Sequence, residues 1–306
     1  MSDAVGFTLV QLRYFSVAAE TGSLTAAADR LMIAQSAVSA AVTNLERELG
    51  VQLFIRRRAK GLTPTPAGER LLHQARELLA HAREVAEEAK GTGAALTGPV
   101  GMGCFVTLAP FHLPSLLAEF AGRYPGVEVG VLEAEATELA QALRGGRIEF
   151  ALSYDLGFGD DVVREPLASL PAHAIVAADH RLARRRRVRL AELAEEPLIL
   201  LDLPHSRDYF RSLVASTGAA PDVRHRAQSY EAVRSMVARG HGFSLLNQRP
   251  ATRQTYGGGE VVALELADEH PPLSLVLARP SGLRQTARAR ALMDVVREVV
   301  PRTVTG

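Results

Sequence analysis

Apolar positions at the start of the chain recur at helical spacing. Thr8 with Gln11 three residues on forms a capping box, and Leu9, Leu12, Phe15 and Ala19 share one face of the helix that follows. Gly22 ends it and Ser23 caps a second helix, Leu24 to Leu31, whose Ala26, Ala27 and Ala28 let another helix approach closely. A turn, Met32-Ile33-Ala34, leads to a third helix from about Ser36 to Leu49. Its apolar face is Val38, Val42, Leu45 and Leu49, and Gly50 stands where a left-handed cap belongs. Val51 to Phe54 then reads as a short strand, Arg56, Arg57, Arg58 and Lys60 as a hairpin tip, and Leu62-Thr63 as the return strand.

Two short helices joined by a three-residue turn predict a helix-turn-helix. The outward face of its second helix is Gln35, Ser36, Ser39, Ala40, Thr43 and Arg47. Gln35 can make two hydrogen bonds to adenine, the hydroxyls can reach base edges or phosphates, and the helix N-terminus suits a phosphate. The basic hairpin reads as a wing whose Arg56, Arg57 and Arg58 meet phosphate or the minor groove. An arginine run alone is a solvated loop, and Arg184 to Arg187 is read that way. What distinguishes the first run is its place after two helices with caps and turn in register.

From Pro66 to about Lys90 the pattern is one long helix. Leu71, Ala75, Leu78, Ala82, Val85 and Ala89 repeat at heptad spacing, and about 25 residues span roughly 37 Å. Such a stripe either packs on its own domain or pairs with a second copy. Pairing would set two recognition helices about one helical turn of DNA, or a multiple, apart.

Beyond a hinge at Leu96 to Gly98, strands alternate with helices. Val100–Gly103, Val127–Leu132 and Ile148–Tyr154 form a βαβαβ order, and a second set runs from near Pro171 to Leu246. Leu273–Ala278 and a helix from Gln285 to Val300 close the chain. This predicts two α/β lobes with mostly parallel sheets and a cleft between them. The division is 1–65 for the DNA-binding head, 66–95 for the linker helix and hinge, and 96–306 for the sensing domain. Lobe I takes 96–167 and 267–306, and lobe II takes 168–266. Ligands of open α/β sheets sit beyond the carboxyl ends of strands, near helix N-termini. That rule nominates Cys104, Phe105, Thr107, Thr137, Tyr154, His205, Ser206, Arg207, Ser229 and Phe243 as effector contacts, and a small anion as the effector. Each has a plainer role too. Thr107 and Thr137 can be helix caps, His205 and Arg207 solvated surface, and Tyr154, Phe243 and Cys104 core.

Composition changes this picture little. The 306 residues carry 35 Lys+Arg against 34 Asp+Glu, so any nucleic-acid contact must come from a local patch. Through Lys60 seven basic residues meet five acidic ones, an excess gathered on the presumed DNA face. The single cysteine, Cys104, excludes an intrachain disulfide framework and any multi-cysteine zinc site, and the nine histidines show no metal-ligand spacing. No secretory signal and no membrane span is read, so a cytoplasmic protein is expected, with no metal and no cofactor.

The stretch LTAAADRLMIAQSAVSAAVTNLERELGVQLFIRRRAKGLTPTPAGERLL, Leu24 to Leu72, resembles the LysR-type transcriptional regulators. The marks are Ala27-Ala28, Leu31, Gln35, Val38-Ser39, Leu45-Glu46, Leu49-Gly50, Leu53-Phe54, Arg56 and Thr65-Pro66-Ala67-Gly68. Ser36 and Ala40 depart from common family residues, and at Ala40 many members carry a basic DNA contact. LPSLLAEFAGRYPGVEV, ALRGGRIEFALSY and MVARGHGFSLLN resemble a LysR-type effector-binding domain, itself similar to periplasmic solute-binding proteins. The resemblance implies an α/β chain overall: an all-α-type winged helix-turn-helix, a long dimerising linker helix and a two-lobed effector domain. It places a ligand-binding hydroxyl at Thr107. The partners it implies are double-stranded promoter DNA, a second copy in a dimer, a tetramer built as a dimer of dimers, and RNA polymerase. Two rival readings remain. An enzyme with a DNA-binding head lacks any G-x-S-x-G, Walker or dinucleotide fingerprint. A pure solute-binding protein would lack the head.

Overall fold

The computed structural model describes residues 6–57, 61–89, 96–218, 220 and 222–305. The chain divides into two compact units. The first is Met1–Leu96 with Ala142–Ile148 and Arg284–Ala287, and the second is the remainder.

In the first unit α1 (Leu9–Thr21), α2 (Leu24–Leu31) and α3 (Gln35–Leu49) are followed by the two-stranded wing β1 (Phe54–Arg57) and β2 (Gly61–Pro64), then α4 (Pro66–Ala89). Local chemistry sets the boundaries. Thr8 and Gln11 form the reciprocal capping box, Ser23 accepts the Ala26 N–H, and Gly22 and Gly50 sit in the left-handed region. Leu12, Phe15, Ala27, Ala28, Val38, Val42, Leu45 and Leu53 pack into one core, with the rings of Phe15 and Phe54 5.2 Å apart. Glu46 ties the recognition helix to the wing by accepting the N–H groups of Leu53 (2.8 Å) and Phe54 (3.3 Å). The Thr-Pro-Ala-Gly sequence has a physical reason. Thr65 donates to the Gln52 carbonyl at 2.7 Å and accepts the Gly68 N–H at 3.0 Å. A Cβ on Gly68 would collide with the Leu53 carbonyl oxygen, so only glycine fits under that turn.

The stripe expected along α4 is split. Ala75 is buried in the head core, and Leu71, Leu72 and Leu79 pack against it, whereas Leu78 and Val85 are 45% and 65% exposed. The helix therefore uses part of its apolar surface within its own head and leaves part uncovered.

The second unit holds two layered α/β lobes. A five-stranded sheet, order β4-β3-β5-β13-β6, contains β3 (Gly98–Phe105), β4 (Val127–Ala134), β5 (Phe150–Tyr154), β6 (Val162–Leu170) and β13 (Leu273–Pro280). The other lobe has a four-stranded sheet, order β11-β7-β12-β8, from β7 (His173–Ala177), β8 (Arg187–Val188), β11 (Ser244–Leu246) and β12 (Val261–Leu266), and a pair, β9 (Leu198–Leu201) with β10 (Val223–Ala227). The helices are α5 (Ala109–Arg123), α6 (Ala136–Arg144), α7 (Ser206–Ala215), α8 (Tyr230–Ala238) and α9 (Ala287–Thr305).

The sheets are mixed rather than mostly parallel. β3 runs parallel to β4 and β5, but β13 is antiparallel to β5 and β6, and β7 is antiparallel to β11 and β12. β6 and β12, absent from the sequence reading, add further antiparallel pairs with β13 and β7. β6 continues to Leu170, past the lobe boundary expected at 167, before the chain crosses to β7. Arg187 of the arginine run joins the short β8, and Arg184 to Arg187 are exposed. No helix of the described residues is long and apolar enough to cross a membrane.

Candidate functional site

On α3 the residues nominated for DNA lie together. Gln35, Ser36, Ala40, Thr43 and Arg47 are exposed and Ser39 is half-buried, opposite the buried Val38, Val42 and Leu45. The helix starts at Ala34, which offers no side-chain acceptor, so no side chain caps the first-turn N–H groups. Arg56 and Arg57 fall in β1, paired with Leu62 and Gly61. Arg58 and Lys60 lie outside the described residues, as do the side chains of Arg56 and Arg57. Arg47 is the basic residue in the last turn of α3, where it also complements the helix dipole.

The second candidate site is a cavity between the lobes. Thr107, just before α5, and Tyr154, at the end of β5, come from one lobe. Leu201, Ser206, Phe210, Tyr230, Leu246, Asn247 and Gln248 come from the other, and Leu273 starts β13. The cavity is about 10 Å³, room for roughly one water. Three nominated residues meet here: Thr107, Tyr154 and Ser206. Its polar lining is neutral, four hydroxyls and two amides, with no acid and no base.

Bonds from opposite sides close it. The Gln248 side-chain amide donates to the Tyr154 hydroxyl at 3.5 Å, and Thr107 lines the same cavity. The Tyr230 hydroxyl donates to the Gln248 carbonyl at 2.6 Å, and the Asn247 amide to the Leu170 carbonyl at 2.9 Å. The Phe111 ring of α5 meets Tyr230 edge-on at 5.7 Å, and Phe105 meets Tyr154 edge-on at 5.2 Å. Burial raises Tyr154 to about 12, so it stays a neutral phenol, and raises Tyr230 as well.

The other nominated residues stand elsewhere. Cys104, Phe105 and Phe243 are buried in the core and do not line the cavity. Thr137 is exposed and does not cap α6. The Glu135 carboxylate does so, accepting the N–H groups of Thr137 (2.8 Å) and Glu138 (2.9 Å). That carboxylate already supplies the negative charge an anion would bring to this helix start. Ser229 is spent as the cap of α8, accepting the Ala232 N–H. Arg207 pairs with Asp202 at 3.4 Å and with Asp208 at 3.8 Å. His205 is exposed beside Ser206 with φ of 63°, an uncommon backbone for a residue with a side chain, and its ring lies over Gly157. Asn247 and Gln248 are missing from the sequence nominations, although they follow the carboxyl end of β11, where the strand-end rule points. At the start of α8 the sequence points to Ser229 and its neighbour Tyr230, and it is Tyr230 that lines the cavity. Among the described residues no group of three or more His, Cys, Asp or Glu could hold a metal ion.

Comparison with known proteins bears on both ends of the chain. The model of the bacterial regulatory helix-turn-helix protein, lysR family, matches residues 9–69, and that of the LysR substrate binding domain matches residues 93–301. The chain belongs to the LysR family. It is a LysR-type DNA-binding transcriptional regulator with an effector-binding domain, and the family consists of regulators rather than enzymes. The hydrogen peroxide-inducible genes activator of Pectobacterium carotovorum is 31% identical over 288 residues, 94% of this chain and 95% of that protein. Two solved structures of Pseudomonas aeruginosa proteins share the architecture. HinK, a LysR family transcriptional regulator, is 39% identical with a TM-score of 0.66, covering 97% of this chain and 99% of that one. A full-length OxyR carrying one cysteine substitution is 26% identical with a TM-score of 0.76, covering 96% of this chain and 98% of that one. The LysR-type effector domain is consistent with a small-molecule effector.

Proposed function

We propose that this LysR-type regulator reads promoter DNA with Gln35, Ser36, Ser39, Thr43 and Arg47 of α3. Arg56, Arg57 and Arg58 of the wing would grip the flanking backbone. Its activity would be set by a small anionic metabolite taken into the cavity at Thr107, Tyr154 and Ser206. One observation carries the second half. The starts of two helices from different lobes, α5 next to Thr107 and α7 at Ser206, converge on one cavity with no acidic side chain on it. Two helix N-termini and neutral donors favour a small negative group. A cavity of about 10 Å³ admits no metabolite as it stands, so binding requires the lobes to part, and a ligand preferring the parted state shifts the balance. A thermal-shift screen of small carboxylates and phosphates tests this. A stabilising ligand should lose its effect on Thr107→Val, and a ligand that stabilises both proteins equally would place its site elsewhere.

Several relatives are named for hydrogen peroxide induction. Peroxide sensing through a thiol needs an accessible thiolate. Cys104 is fully buried, and burial, with Glu133 adding to it, pushes its thiol well up. The sequence has no second cysteine with which to form a disulfide. We therefore assign this chain no thiol-based peroxide response. The uncovered Leu78 and Val85 of α4 support a dimer through the linker helix, and family likeness supports a dimer of dimers. Cytoplasmic location, contact with RNA polymerase and operation without metal or cofactor complete the reading. The division at 65/66 and 95/96 follows from the same assignment of head, linker and effector domain.

A further inference from the structure

Behind the wing the head holds a crevice of about 300 Å³, at the lower end of the size range of small-molecule sites. Leu24 of α2, Val42 and Glu46 of α3, Gln52 before the wing, and Phe54, Ile55 and Leu62 of the wing form its walls. The apolar walls are not all covered: Ile55 is 41% exposed, and Leu24 and Leu62 are half-buried. At its edge Glu46 spends only one carboxylate oxygen, Oε1, on the Leu53 and Phe54 N–H groups. Among the described residues Glu46 makes no ion pair. Its other oxygen, Oε2, has no partner among the described residues, and a carboxylate oxygen bordering hydrocarbon suits a cation.

We propose that this crevice binds a small organic cation, an amine on an apolar body. The ammonium meets Glu46 Oε2, and the hydrocarbon covers Val42, Phe54, Ile55 and Leu62. The position gives such a ligand a consequence. Val42 and Glu46 face the crevice, and their sequence neighbours Thr43 and Arg47 lie on the exposed DNA face of the same helix. A ligand wedged between α3 and the wing sets the angle at which both meet DNA, so ligand and DNA affinities are coupled, and the coupling is reciprocal.

Isoleucine methyl NMR on the full-length protein tests this, because the chain has five isoleucines: Ile33, Ile55, Ile148, Ile175 and Ile199. Benzylamine is the probe, with benzyl alcohol as neutral control and phenylacetate as anionic control. The expected result is a saturable shift of the Ile55 methyl with benzylamine, with Ile148, Ile175 and Ile199 unmoved. Benzyl alcohol should bind about fivefold more weakly, the worth of one partly exposed charge pair. Glu46→Gln, which keeps an acceptor for the Leu53 and Phe54 N–H groups, should remove that preference. Comparing the two probes on wild-type protein decides the matter even if the variant folds poorly. An unmoved Ile55, an equal response to alcohol or phenylacetate, or a shift that follows protein concentration instead of benzylamine would overturn the proposal; the last would point to a second copy as the occupant.

Discussion

Gln248 reaches across the cleft and donates its side-chain amide to the Tyr154 hydroxyl at 3.5 Å, a long bond at the limit of useful geometry. Gln248 is at the same time held through its backbone carbonyl by the Tyr230 hydroxyl. This bond across the lobes, from Gln248 to Tyr154, is longer than its neighbour, Asn247 to the Leu170 carbonyl at 2.9 Å, and an entering ligand can take the place of either partner. Tyr154→Phe removes the hydroxyl without changing the ring. The expected cost is about 1 kcal/mol of stability, read by urea unfolding, with DNA affinity in the absence of effector unchanged and response to effector lost. A variant that responds normally would show that the hydroxyl plays no part.

Two buried histidines predict how stability depends on acidity. Burial lowers His173 to about 3, with Arg249 contributing, and lowers His112 to about 4, both from the usual 6.5. The folded state keeps these rings neutral while the unfolded chain protonates, so below pH 6.5 the unfolded state binds more protons. Their stabilising contribution is fully present above about pH 6.5 and drains away as pH falls towards 4 for His112 and 3 for His173. At pH 5 each costs about 2 kcal/mol relative to pH 7. Urea unfolding at pH 7 and pH 5 checks this, and His173→Gln should reduce the difference between them. A pH-independent midpoint would contradict it.

Cys104 is expected to be inert. Its thiol lies fully buried on β3 and is held protonated, so Ellman's reagent should react only at the rate of unfolding, and added peroxide should leave DNA binding unchanged. Stoichiometric labelling of the native protein within minutes would contradict the buried assignment.

Leu78 and Val85 carry the expectation for assembly. Leu78→Glu with Val85→Glu places charge on the uncovered stripe of α4 but touches neither the buried Ala75 nor the head core. Sedimentation should show the assembly shifted towards monomer, with DNA affinity reduced because two half-sites are no longer held together. An unchanged oligomer would move the interface to another surface.

The head can be read from sequence because its signals are local. Thr8 with Gln11, Ser23 and Gly50 each fix a helix end within a few residues, and the structure places those caps where the pattern does. β6 is hidden for a physical reason. Pro166 interrupts its pattern, and proline is tolerated because β6 is an edge strand whose register with β13 shifts at that point. The α6 cap is misleading in sequence because Thr137 is a good capping residue by type, yet the longer Glu135 reaches back over the helix start first. The cavity is half legible. Thr107, Tyr154 and Ser206 sit at predicted strand or helix ends, but Asn247 and Gln248 come together with them only through the crossing of two sheets, which no local pattern records.

The measurement that bears most directly on the whole account is the salt dependence of binding to the DNA upstream of the protein's own gene, compared with random fragments. The account predicts preferential binding, with log affinity falling linearly against log salt. Arg56→Ala with Arg57→Ala should flatten that slope by about two, near 0.9 for each phosphate no longer neutralised. Equal affinity for random DNA, or a slope the double variant leaves unchanged, would contradict it.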